Sequence, residues 1–198
     1  MKKLISGLII FIALFFAASA SSAPIGFELL ISGDYNTPEF QLTNTGALGI
    51  EEFEMTIGNT AYNFDFVQNV VPGGISYTLV APDTGNNGAR TDYQKFTFTD
   101  FNPGEIFQWE TNLDPDNSNV VVDYRGFFFN NGDAPNSMVS VLFSGGTMLQ
   151  DTFPDANRYS SYTMSVTGES SQVPVPAAFW LLSSGLAGIV GLRRRFKE

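Results

Sequence analysis

The sequence predicts an all-β protein: a β-sandwich, jelly-roll-like or immunoglobulin-like, with an N-terminal signal peptide and one C-terminal transmembrane helix. Three observations lead to this prediction. Apolar and polar residues alternate in about ten short segments between residues 27 and 166. Turns rich in Gly, Pro, Asn and Asp separate these segments roughly every 8 to 12 residues, as in sandwiches. Uncharged apolar runs flank this module on both sides.

The N-terminal segment has the three parts of a secretory signal peptide. Met1-Lys2-Lys3 precedes an uncharged apolar stretch over residues 4–17, and Ala18-Ser19-Ala20 fits the small-residue rule for cleavage. We therefore expect signal peptidase to cut after Ala20, which makes residues 1–20 a leader.

The first half of the module contains its clearest strand patterns. Apolar residues alternate with acidic or polar ones over residues 53–57, and a second alternating segment covers residues 62–66. Gly58-Asn59 between them is a turn signal. We expect a β-hairpin here, with one apolar side and one acidic side.

The second half continues this pattern as far as a Ser-rich linker. Residues 120–124 predict a strand whose Val and Tyr side chains share one face, and Phe127-Phe128-Phe129 is too apolar for an exposed edge. A final strand is expected near residues 159–166. The predicted ectodomain covers residues 21–167, and residues 168–172 form the linker.

The tail has the pattern of a short membrane segment. Residues 177–192 carry no charge, and a helix of that length at roughly 1.5 Å per residue spans about 24 Å. A hydrocarbon core is roughly 30 Å thick, but Trp180 can lie at one interface and arginines at the other. The positive-inside rule keeps the basic residues cytoplasmic and the ectodomain outside. These basic residues are Arg193, Arg194, Arg195 and Lys197.

The order of a Pro motif, a short Gly-containing apolar helix and a terminal Arg cluster resembles the PEP-CTERM sorting signal of bacterial exosortase substrates. Residues 173–198 carry the resemblance, although Val175 occupies the place of the signature Glu. The resemblance implies recognition by an exosortase-like membrane transpeptidase, cleavage near the Pro motif, and passage of the ectodomain to the cell surface or matrix. An ordinary tail anchor is the alternative, since the rules for membrane spans fit it equally well. The motif residues are Val173, Pro174, Val175, Pro176 and Ala177.

The module between the two apolar segments is strongly acidic. Four basic and nineteen acidic residues lie between residues 21 and 172, a net charge of −15. Such a surface repels nucleic acid and anionic membrane, and it favours solubility or divalent cations. We therefore expect no nucleic-acid partner, and membrane contact only through the C-terminal helix.

The composition also limits the chemistry. The sequence contains no His and no Cys, which excludes Ser-His-Asp and Cys-His catalysis and ordinary zinc sites. A carboxylate pair, as in a glycoside hydrolase, is the remaining catalytic arrangement. We expect a protein that is not an enzyme and that uses no cofactor, with Ca²⁺ as the one candidate ion.

One polar loop is the candidate site for that ion. Asp114, Asp116, Asn117 and Asn119 place four oxygen-bearing side chains within six residues, and Ca²⁺ takes carboxylate, amide and carbonyl oxygens. The spacing departs from the EF-hand pattern, which requires a Gly and a Glu at later fixed positions. Asx turns use the same residue types for backbone capping. A calcium site and a plain turn are therefore both consistent with the sequence.

Aromatic residues suggest a second type of site. Trp109, Tyr93 and Tyr124 are candidates for a sugar-stacking platform, although their alternation with polar residues favours the core first. Together with the sorting signal, the sequence predicts an exported, non-catalytic structural or adhesive protein of the cell surface, associated with an exopolysaccharide or biofilm matrix. The alternatives are a Ca²⁺-dependent carbohydrate-binding module and a carboxylate-pair glycoside hydrolase.

Overall fold

The structure, a computed structural model, describes residues 22–82, 90–115, 122–129, 135–155 and 161–170. The chain divides into two units, and the larger one, Ala23–Ser171, contains every helix and strand described. These elements are β1 Pro24–Gly33, β2 Pro38–Asn44, β3 Ile50–Thr56, β4 Tyr62–Val71, β5 Ser76–Ala81, β6 Tyr93–Phe101, β7 Ile106–Pro115, α1 Tyr124–Phe128, β8 Met138–Phe143, β9 Thr147–Thr152 and β10 Tyr162–Glu169.

The strands form two five-stranded sheets. Sheet A has the order β10-β1-β2-β7-β4, and sheet B has the order β5-β6-β3-β8-β9. All neighbouring strands in both sheets are antiparallel. The mostly-β prediction is therefore confirmed, and two facing antiparallel sheets are consistent with the predicted sandwich.

Aromatic residues join the inner faces of the two sheets. Trp109 of β7 stacks on Phe40 with ring centroids 5.1 Å apart, and it meets Phe53 and Phe96 of sheet B edge-on at 5.3 and 5.0 Å. The Trp109 indole N–H donates to buried Gln94 at 3.1 Å, and Gln94 donates to Thr111 at 2.6 Å. The polar atoms buried here therefore have partners, as a stable interior requires.

The hairpin predicted across Gly58-Asn59 is wrong. Strand β3 lies in sheet B and β4 in sheet A, so the chain changes sheets at this turn. A side chain at Gly58 would overlap the backbone of Pro135, so only Gly allows this close crossing. The Ile57 N–H donates to the Asp92 carbonyl at 2.8 Å as β3 leaves its sheet.

Only residues 122–124 of the strand predicted over residues 120–124 are described, and there the prediction is wrong, because Tyr124–Phe128 forms the one-turn helix α1. Asp123 caps this helix by accepting from the Arg125 backbone N–H at 3.0 Å, and it also binds the Arg125 guanidinium at 2.6 Å. Residues 127–129 are fully buried, which confirms that this run is too apolar for an edge. The local cap, together with burial of three consecutive Phe side chains, explains a helical turn where alternation suggested a strand.

The last strand ends later than predicted. Strand β10 includes Gly168 and Glu169, which the sequence prediction assigned to the linker, and Glu169 pairs with Pro24 of β1. A side chain at Gly168 would crowd Leu149, so this Gly allows close packing inside the strand rather than marking its end. Beyond the strand, Ser170 and Ala23 exchange two 2.9 Å hydrogen bonds.

The predicted signal peptide at 1–20 and the predicted membrane helix at 177–192 lie outside the described residues. Within the residues that are described, no helix has both the length and the apolar character needed to span a membrane.

Candidate functional site

The outer face of sheet A carries rows of amide and carboxylate side chains. One row places Leu30, Gln41 and Gln108 side by side on β1, β2 and β7. The Gln108 amide nitrogen donates to the Gln41 amide oxygen at 2.7 Å. In the next row, Ser32 pairs with Glu39, and Glu39 pairs with Glu110. The alternation that buries one set of residues therefore presents these polar groups to solvent.

A β-bulge forms one wall of this face. The register of β4 against β7 shifts between Gln68 and Val71, and Asn69 within the bulge has a φ of +50°. The bulge brings both amides to one carboxylate, since Glu110 accepts from Gln68 at 3.1 Å and from Asn69 at 2.7 Å. Bulges re-aim side chains in this way. The result is a depression of about 350 Å³ that crosses β1, β2, β7 and β4.

The outer face of sheet B differs in charge. The Lys95 ammonium group of β6 contacts Glu52 at 2.5 Å and Glu54 at 3.2 Å, both on β3. The hydrogen bond to Glu52 is the main reason why the pKa of Lys95 lies above its usual value. Beside this group, Tyr93 and Val80 are exposed and line a shallower depression of about 450 Å³.

The predicted calcium loop is described only at its first residue. Asp114 forms an ion pair with Arg90 at 3.2 Å, and burial, together with neighbouring Asp65, raises the pKa of its carboxyl group despite Arg90. The other predicted ligands, Asp116, Asn117 and Asn119, lie outside the described residues. In the described ranges, no group of three or more Asp, Glu, His or Cys side chains is placed to hold a metal ion. Calcium binding stays a prediction, and melting with and without Ca²⁺ tests it.

For two of the three candidate platform residues, the core position that alternation favours is confirmed and the sugar-platform alternative is wrong. Trp109 and Tyr124 are almost completely buried, so neither presents an open ring face to a ligand. Tyr93 is 40% exposed and stays a candidate. The amide rows of sheet A were not predicted, because strand pairing alone brings Gln41 and Gln108 together.

The predicted sorting residues at 173–177 and the basic residues at 193–197 lie outside the described part of the chain, and their individual roles stay predictions. A family model for the PEP-CTERM protein-sorting motif matches residues 172–195. The chain carries a PEP-CTERM sorting motif. The match confirms the recognition made from the Pro motif and the Arg cluster. A PEP-CTERM motif implies export and membrane-associated sorting toward the cell surface by an exosortase-like enzyme.

Other comparisons add little about this chain. A chain of the Iho670 flagellar-like filament aligns with 78% of this chain and 93% of its own length, at 12% identity and a TM-score of 0.24. A similarity at that score supports no conclusion about fold or function. Curated proteins give no significant match.

Proposed function

We propose that this protein is a non-catalytic, exported component of the cell surface or extracellular matrix, which an exosortase-like transpeptidase sorts through its tail. The PEP-CTERM match at residues 172–195 carries the proposal. The signal peptide at 1–20 would start export, and the helix at 177–192 would hold the chain in the inner membrane until it is processed.

The geometry of the ectodomain's ends suits such a tail. Strands β1 and β10 pair antiparallel along eight residue pairs, from Pro24 with Glu169 to Ile31 with Tyr162. Ser170 bonds to Ala23 on both its backbone and its hydroxyl. The sorting motif begins two residues later, at residue 172. Cutting the tail after the hydrogen bonds between Ala23 and Ser170 would remove no residue of the ectodomain's sheets.

The strand order favours the jelly-roll-like form of the sandwich. Strands pair in a nested order, β5 with β6, β4 with β7, β3 with β8, and β1 with β10. A long hairpin rolled over itself produces nested pairs of this kind, and jelly rolls are two-sheet folds of that type. Such a scaffold leaves two broad outer faces for contact with a matrix.

A structural or adhesive role in an exopolysaccharide-rich matrix fits the composition. The net charge of −15 between residues 21 and 172 favours solubility outside the cell. The sequence lacks the His and Cys residues of Ser-His-Asp and Cys-His hydrolytic sites. So acidic a protein would repel anionic polymers, which disfavours them as partners relative to uncharged ones.

The intact mass of the protein recovered from its native cells tests the proposal. We expect a chain that begins near Ser21 and ends near the Pro motif, with or without an attached group. Changing Pro174 and Pro176 to Ala should block processing, whereas Pro154→Ala, a matched change outside the motif, should leave it intact. A wild-type mass that retains Arg193–Glu198 would contradict sorting and indicate a plain membrane anchor.

A further inference from the structure

We infer that the depression on the outer face of sheet A binds a neutral oligosaccharide segment. The inference rests on the proposed surface or matrix role and deepens it by naming a ligand class and a site. The site is the sheet A groove, defined by Leu30, Ser32, Glu39, Gln41, Asn69, Val71, Gln108 and Glu110.

Uncommitted hydrogen-bonding atoms converge in the sheet A groove. The amides of Gln41 and Gln108 make one bond to each other, which leaves the Gln41 nitrogen and the Gln108 oxygen without a partner among the described residues. Glu110 uses one oxygen for Gln68 and Asn69. Its other oxygen and the exposed Glu39 carboxylate are similarly open in the described structure. Adjacent donors and acceptors of this kind match the hydroxyl groups of a sugar.

Apolar side chains in the sheet A groove also suit a saccharide ligand. Val71, which is exposed, and Leu30, which is half-buried, lie at the two ends of the Gln41–Gln108 row. A saccharide has C–H faces as well as hydroxyl edges, so a row with apolar ends and a polar centre suits it. At roughly 4.8 Å between strands, the four strands extend over about 14 Å. That length accommodates a short segment of a polymer rather than a single small molecule.

The charge of the sheet A groove determines which class of saccharide it favours. Two carboxylates and no basic side chain line the sheet A groove. An acidic polysaccharide would face Glu39 and Glu110, which lie opposite each other across β2 and β7, and like charges repel. A neutral chain can instead donate its hydroxyl protons to these carboxylates in charge-assisted hydrogen bonds. The geometry therefore favours neutral sugars over uronic-acid polymers.

The test measures binding of the full chain, solubilised in detergent, to defined probes. The probes are maltotetraose, cellotetraose, laminaritetraose and the neutral polysaccharide fraction of the native cells, with tetragalacturonate as the anionic comparison. We expect at least one neutral probe to bind and the anionic one to bind more weakly. Gln108→Ala and Gln41→Ala should each weaken binding about three- to tenfold, the value of one lost hydrogen bond.

A matched control is available on the other sheet. Gln150 is also an exposed strand Gln, on β9, so Gln150→Ala should leave binding unchanged. Equal melting temperatures would show that the variants fold. If Gln108→Ala does not fold, Gln108→Thr replaces it in the binding assay, because Thr forms strands more readily than Ala.

Three results would overturn the inference. They are no binding of any neutral probe, undiminished binding by both Gln variants, and loss of binding with Tyr93→Ala alone, which would move the site to sheet B. The intact-mass experiment is independent of all three. If the protein is correctly processed but binds no sugar, only the binding inference fails and the sorting proposal holds. If it binds sugar but keeps its tail, only the sorting proposal fails and the binding inference holds.

Discussion

The outer faces of the two sheets come from similar sequence patterns but present different chemistry. On sheet B, Lys95 lies between Glu52 and Glu54 and neutralises part of their charge. On sheet A, Glu39 and Glu110 face each other without a cation in the sheet A groove, and amides supply the neighbouring contacts. Sheet B therefore resembles an internally paired surface, whereas sheet A keeps open hydrogen-bonding groups. Cross-strand neighbours, rather than composition, determine which face is available to a ligand.

The change with the largest expected effect removes the core that supports both faces. Trp109→Ala would delete the ring that contacts Phe40, Phe53 and Phe96 and would leave Gln94 without its indole donor. We expect the free energy of unfolding to fall by about 3 to 5 kcal/mol, measured by urea denaturation. Trp109→Phe retains most of the ring and should lose clearly less; equal losses would show that packing is not the main contribution.

The next change makes the face of sheet B resemble that of sheet A. Lys95→Met would leave Glu52 and Glu54 side by side without their cation, and we expect a loss of about 1 kcal/mol at neutral pH. Because the pKa of Lys95 is raised in the fold, this contribution is complete below pH 10.5 and disappears as the pH rises through the folded-state pKa. Urea denaturation of both proteins across this range measures it. Lys95→Arg preserves the charge, so a loss as large as that of Lys95→Met would contradict the electrostatic explanation.

The converse change makes sheet A resemble sheet B. Glu39→Lys would place an ammonium group opposite Glu110 and remove a like-charge pair. We expect the free energy of unfolding to rise by roughly 0.5 kcal/mol, by less in high salt, and neutral-sugar binding to fall. Glu169→Lys makes the same charge change at the far end of sheet A, on β10, and should leave sugar binding unchanged. Thermal melting and the binding assay together check both effects.

The smallest expected effect concerns Asp114, near the end of β7 in sheet A. Burial raises its pKa, so the folded state disfavours its charged form. Its contribution to stability is then greatest below the usual value near 3.8 and falls as the pH rises through the folded-state pKa. Asp114→Asn should stabilise the protein at pH 7 by about 0.5 kcal/mol, and the gain should vanish in acid.

Asp123 is the matched control for this titration. The Arg125 guanidinium lowers the pKa of Asp123, so its contribution is present above the usual value and is lost as the pH falls through the folded-state pKa. Asp123→Asn should therefore destabilise the protein at pH 7, opposite to Asp114→Asn. Denaturation at pH 7 and pH 3 compares the two, and shifts of the same sign would refute the assignment of burial as the cause at Asp114.

Some features of this protein followed from local sequence alone. Alternation of apolar and polar residues predicts strands because side chains in a strand point to opposite faces in turn. It identified the mostly-β fold, and the burial of Phe127-Phe128-Phe129 followed from the apolar character of that run. The Pro motif and the Arg cluster near residues 173–197 can also be recognised from the sequence alone, because a sorting signal is a contiguous stretch that needs no tertiary contacts.

Tertiary structure decided which strands became neighbours. The local sequence predicts a hairpin turn at Gly58, but the close approach of Pro135 makes this turn a crossing between sheets. Gln41 and Gln108 lie 67 positions apart and meet only because β2 pairs with β7. The bulge at Asn69 that brings Gln68 and Asn69 to Glu110 depends on another long-range pairing, that of β4 with β7. Alternation fixes the face on which a side chain lies, whereas long-range pairing fixes its neighbours. The sequence by itself therefore determined the sorting signal and most of the strands, and only the assembled sheets determined the groove.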